Sequence, residues 1–139
     1  MNVWWIYALL SAVFAALTAI LAKIGVSSIN SDLATAVRTV VILIIAWGIT
    51  IARGSVSGLT LLSKRTLFFL VLSGVATGLS WLCYFKALQL GRVNQVAPVD
   101  KLSVAMAILL AALFLKEGID WKTGLGAGLI ITGTIVLIL

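Results

Sequence analysis

Long apolar runs separated by short polar breaks dominate the chain. They fall at about residues 3–22, 33–52, 67–88, 93–115 and 123–139. Each approaches the roughly 20 residues that a helix needs to span hydrocarbon about 30 Å thick. No segment alternates with the about ten-residue strand period of a membrane barrel, and a backbone crossing lipid must satisfy its own N–H and C=O groups. The pattern therefore predicts an all-α integral membrane protein with five transmembrane helices. The first run has no cation before it and exceeds the about 7 to 15 apolar residues of a signal peptide, so it is expected to stay as the first span.

Composition sharpens this picture. With 63% hydrophobic and 10% charged residues, the chain is too apolar to hide its side chains in one soluble globule. Arg53, Lys64, Arg65, Arg92, Lys116 and Lys122 lie in or beside the polar breaks. The net charge of +6 is thus expected to face the lipid bilayer and set topology, with no nucleic acid as partner. Histidine is absent and Cys83 is the sole cysteine, which removes disulfide frameworks, the usual zinc sites and histidine relays. No catalytic residue, metal or cofactor is expected.

The breaks and their flanks carry the local signals. Trp4, Trp5 and Tyr7 suit an interfacial belt at the start of the first span, and the segment SSINSD offers several N-caps for the second. Arg38 sits about two turns into that second span, where snorkelling to the headgroups and a role inside the bundle both fit. Residues 53–65 form the most loop-like stretch. Gly74 and Gly78 give the third span a small-xxx-small pair, followed by Trp81, Tyr84 and Lys86. Gly91 and Arg92 leave room only for a tight turn. In the fourth span Asn94, Gln95, Pro98, Asp100 and Lys101 interrupt the apolar pattern, and Pro98 predicts a kink or local opening. Gly124, Gly126, Gly128 and Gly133 leave one face of the last span nearly bare, suited to a dimer contact or to close helix packing.

Five crossings place Arg53, Lys64, Arg65, Lys116 and Lys122 on the side of the N-terminus, against Lys23, Arg92 and the nearby Lys86 on the other. This bias favours a cytoplasmic N-terminus by a thin margin that leaves insertion in both orientations open. The same crossings put Arg38, Lys86, Asp100 and Lys101 in one leaflet. At 1.5 Å per residue Lys101 lies about 12 Å into its helix, near the midplane, where a charge costs at least about 2.5 to 3.5 kcal/mol. Sequence neighbours on a helix point about 100° apart, so Asp100 and Lys101 are expected to find separate partners, Arg38 or Lys86 for the acid and a wet cavity beside Asn94 and Ala97 for the lysine. The four charges fit either a transport pathway or a neutralised cluster that holds the helices together.

From Lys86 to the C-terminus the chain resembles the second part of an EamA domain, the five-helix repeat of the drug/metabolite transporter superfamily. The likeness rests on Lys86-Ala87 before the Gly91 turn, Val96-Ala97-Pro98, a leucine-rich run ending in Lys116-Glu117 where the family often has Gly-Glu, and the glycine-studded last span. Arg38 and Lys23-Ile24-Gly25 sit where such domains commonly carry a basic residue. Members commonly hold two such domains, so the resemblance implies one EamA-like domain over residues 1–139, a half-transporter and one inverted-repeat unit. Two copies reproduce that arrangement by antiparallel pairing; a parallel dimer and a heterodimer with a related half stay open. Gly126, Leu129, Ile130 and Gly133 are also similar to the dimerising last helix of small multidrug resistance proteins. Those proteins place an essential Glu in helix one, and this chain has no acid there.

Together these readings predict a secondary transporter of a small metabolite, working by alternating access at a midplane site near the fourth span. Arg38, Trp81, Tyr84, Lys86, Asn94, Pro98, Asp100 and Lys101 are the candidate pathway residues. The cation excess suggests an anionic or zwitterionic substrate, and Asp100 is the candidate for proton coupling. The resemblance implies a bacterial or archaeal cytoplasmic membrane. A non-transporting scaffold or accessory subunit of a heteromeric transporter is the alternative, and a passive channel fits less well because no filter motif is visible.

Overall fold

In the computed structural model, which describes residues 3–139, five transmembrane helices follow one another. They comprise α1 (Trp4–Val26), α2 (Ser31–Ala52), α3 (Lys64–Leu90), a composite fourth span, and α6 (Trp121–Ile138). The composite span consists of α4 (Val93–Asp100), α5 (Leu102–Leu110) and a π-helical turn (Ala111–Leu115). The expected runs are all present, and most helices extend beyond them into polar flanks that supply caps. Asn30 caps α2 by accepting from the Asp32 N–H at 2.7 Å, so the helix starts at Ser31. Asp120 caps α6 by accepting from the Thr123 N–H at 2.9 Å, and Ser63 accepts from the Thr66 N–H at 3.1 Å at the start of α3. These bonds satisfy backbone donors that a helix start leaves without partners.

The segment expected as a loop departs from that reading. Gly54, in the left-handed region at φ 65°, ends α2 and leads into a 3-10 turn at Ser55–Leu61, and α3 then begins at Lys64.

The chain divides into two compact units, Leu21–Gln89 and the remainder. In Leu21–Gln89, polar ties join the end of α1 to the end of α3. Lys23 Nζ donates to the Leu88 carbonyl at 2.6 Å, and Gln89 Nε2 donates to the carbonyls of Val26 at 3.3 Å and Ile29 at 2.9 Å. Val26, Ser31, Thr35, Phe85 and Leu88 are buried, whereas Leu43, Ile44, Leu67, Phe68 and Leu70 are exposed. This distribution has a physical reason: lipid tails match the apolar side chains, so burial gathers where backbone and side-chain hydrogen bonds join helices.

In the other unit, α6 packs along both α4 and α5. Ala105 and Thr134 are buried there, and the Thr134 hydroxyl donates to the Pro98 carbonyl at 3.2 Å.

Candidate substrate pathway

The candidate residues of Leu21–Gln89 form an aromatic and cationic cluster. Trp81 and Phe85 are four residues apart on α3 and so share one face. The Arg38 guanidinium carbon, on α2, lies 4.3 Å from the Trp81 ring centroid and 5.0 Å from that of Phe85. Tyr84 meets Phe85 edge-on at 6.4 Å. Arg38 is therefore a bundle-facing group held over two rings. Phe85 escaped the sequence reading, although its spacing from Trp81 was the available signal. Lys86 has another setting: its ammonium donates to Gln89 Oε1 at 3.2 Å, and the Gln89 amide binds the chain that follows α1.

The fourth span carries the second group. The helix runs through Pro98 and breaks one turn later, at Lys101, whose φ of −71° and ψ of −10° separate α4 from α5. A kink or local opening was expected at Pro98, whose missing N–H leaves the Asn94 carbonyl without its usual donor. Two donors explain the shift: the Pro98 carbonyl accepts from the Lys101 N–H at 3.0 Å, a tight i to i+3 bond, and from the Thr134 hydroxyl. Asn94 itself is exposed.

The expectation for Asp100 and Lys101 is also corrected. Lys101 Nζ lies 3.2 Å from Asp100 Oδ2, so the two neighbours pair with each other. Helix geometry points neighbouring side chains about 100° apart, and the long, flexible Lys101 side chain spans that gap. Side-chain exposures of 57% for Lys101 and 35% for Asp100 leave this pair accessible.

The glycine faces are open. A Cβ added at Gly74, Gly78, Gly126, Gly128 or Gly133 meets no atom within 4 Å, and at Gly124 only Ile119 Cγ2 at 3.9 Å. A groove of about 350 Å³ lies where α5 gives way to α6, with Ile108, Ala111, Glu117 and Thr123 in its lining. It includes none of the candidate pathway residues.

The C-terminal end of the composite span shows what the Lys116-Glu117 motif does. Lys116 is left-handed at φ 56°, and the N–H groups of Lys116 and Glu117 both donate to the Ala111 carbonyl. This is a helix-terminating turn in which glycine is the preferred residue. Over residues 2–139 the chain matches the profile of the EamA-like transporter family. The chain belongs to that family. As an EamA-like transporter it is an integral, multi-pass membrane protein. It is 50% identical over 134 residues to a protein of Sinorhizobium sp described as "Uncharacterized transporter in cobO 3'region", covering 96% of this chain and 95% of that relative. No solved structure matches it. In EamA terms, Gly-Glu at the end of the fourth span is the residue choice its left-handed turn favours, and Lys116 is the departure.

Proposed function

We propose that this EamA-like chain is one half of a secondary transporter, moving a small anionic or zwitterionic metabolite by alternating access across a bacterial or archaeal cytoplasmic membrane. The observation that carries this reading is the helix break at Lys101, where an accessible Asp100–Lys101 pair lies within a membrane-spanning segment. Irregular backbone at membrane depth is tolerated where it lines a cavity or is buried in protein, and discontinuous helices are a recurring feature of transporter sites. Transport is also the activity named for the Sinorhizobium relative. In this reading Arg38, Trp81, Tyr84, Lys86, Asn94, Pro98, Asp100 and Lys101 are the candidate pathway residues, with Asp100 exchanging the coupling proton.

The open glycines of α3 and α6 support assembly with a second half, as a homodimer or with a related chain. The thin charge bias favours a cytoplasmic N-terminus and also permits antiparallel pairing. The same glycine faces fit the alternative, an accessory subunit docked on a larger transporter.

The test uses D100N and K101A. The pair is accessible and its members bind each other, so each variant is expected to reach normal folded yield. Metabolite uptake into proteoliposomes should fall at least tenfold, and D100N should lose its response to an imposed proton gradient. Lost yield with normal transport per folded molecule would sink the pathway role. A stable homodimer in mild detergent supports the half-transporter, whereas an obligate heteromer supports the accessory subunit.

A further inference from the structure

The unit Leu21–Gln89 holds six cations, Lys23, Arg38, Arg53, Lys64, Arg65 and Lys86, against one acid, Asp32. Those nearest its polar core have different partners. Lys23 donates to the Leu88 carbonyl and so ties α1 to α3, and Lys86 donates to the Gln89 side chain on its own helix. The Asp32 carboxylate sits at the start of α2, 3.5 Å from the Ser31 hydroxyl. Arg38 stands apart from these groups. Its guanidinium is half-buried against Trp81 and Phe85, and among the described residues no hydrogen bond or ion pair engages it. Among the described residues no side-chain nitrogen is buried without a partner, so the unbonded Arg38 donors are not fully buried.

This arrangement divides the guanidinium between two tasks. Aromatic rings take up a guanidinium through its face, while its N–H fork lies in the plane and matches the two oxygens of a carboxylate or phosphate. Stacking also holds the fork in place, so less side-chain freedom is lost when a ligand arrives. A guanidinium at membrane depth lacking a neutralising acid favours an anion beside it. We infer that Arg38, backed by Trp81 and Phe85, is an oxyanion receptor that binds a carboxylate or phosphate through its N–H fork. The inference rests on the transporter reading only for the ligand's role as cargo. The same chemistry is offered by a soluble metabolite anion and by a lipid headgroup.

Side-chain NMR of the arginine Nε–H groups, on the full chain in phosphatidylcholine nanodiscs, tests this directly, with Arg53, Arg65 and Arg92 as internal references. Succinate and inorganic phosphate are titrated in turn, and a parallel series replaces part of the lipid with phosphatidylglycerol. The Arg38 signal is expected to shift saturably, at anion concentrations at least tenfold below those that move the reference arginines. Arg38→Lys keeps the charge but loses the fork and with it the observed signal; read through the Trp81 indole N–H in parent and variant, binding should weaken at least tenfold. Trp81→Leu keeps the guanidinium and should weaken it severalfold, which covers the case that the Arg38 variant misfolds. A response to soluble anions identifies cargo, and a response to phosphatidylglycerol alone identifies a headgroup; both uphold the receptor. It is overturned if Arg38 responds no more than the references to any probe, or if a folded Arg38→Lys or Trp81→Leu variant binds as tightly as the parent. A chain that binds succinate at Arg38 yet moves no solute in proteoliposomes sinks the transport reading and leaves the receptor standing.

Discussion

Replacing Lys116 with glycine should stabilise the protein. Lys116 holds φ at 56° to close the end of the fourth span, with its own N–H and that of Glu117 directed at the Ala111 carbonyl. A left-handed conformation costs an L-residue roughly 1 to 2 kcal/mol, from the clash of Cβ with the following carbonyl. Glycine escapes that clash but gives up about 0.5 to 1 kcal/mol through its freer unfolded chain. The net gain for K116G is therefore about 0.5 to 1 kcal/mol. The expected rise in the midpoint of thermal unfolding in detergent is about 2 to 4 °C for a chain of this size. K116A removes the charge and keeps the strain, so it separates the two effects. Gly54 offers the mirror experiment: its φ is 65° and an added Cβ meets nothing within 4 Å, so G54A introduces backbone strain without steric overlap and should destabilise by about 1 kcal/mol. A midpoint for K116G at or below that of K116A, with G54A unchanged, would refute the assignment of strain to these two positions.

Two further predictions concern the polar ties. Thr134→Val removes the hydroxyl that donates to Pro98 and should cost about 0.5 to 1.5 kcal/mol, with Thr134→Ser restoring most of the loss; a Val variant as stable as the parent argues against the tie. The Thr123 side chain and backbone N–H hold the Asp120 carboxyl below its ordinary value of 3.8. A depressed folded value means that the ionised carboxylate favours the folded state above pH 3.8, and that this contribution disappears as pH falls through the lower folded value. Midpoints measured across that window should decline in the parent and lack this component in D120N, which retains a capping side chain without the titration; identical profiles would contradict it.

Much of the architecture was legible residue by residue. A span needs only enough consecutive apolar residues to match the hydrocarbon, and Asn30 and Asp120 cap helices through neighbours two or three residues away. Pro98 announced a disturbed helix for the same local reason, a missing N–H. Its position could not be read this way, because the Pro98 carbonyl is shared with Thr134, 36 residues away. The Asp100–Lys101 pair was misjudged because Cβ directions alone set the expectation, whereas the long Lys101 side chain reaches back to its neighbour.

The sequence by itself determined that the chain crosses the membrane five times, where its polar groups fall along those crossings, and which positions are bare enough for another helix to approach. These follow from hydrophobic length and local hydrogen bonding, which depend on near neighbours. Only the tertiary structure decided what each charge does: Lys23 and Lys86 join polar ties, Asp100 takes Lys101, and Arg38 lies on Trp81 and Phe85 with its N–H fork left over. A charge in a low-dielectric setting takes its role from whatever lies within a few ångströms, and for Arg38 that neighbourhood comes from residues more than forty positions away.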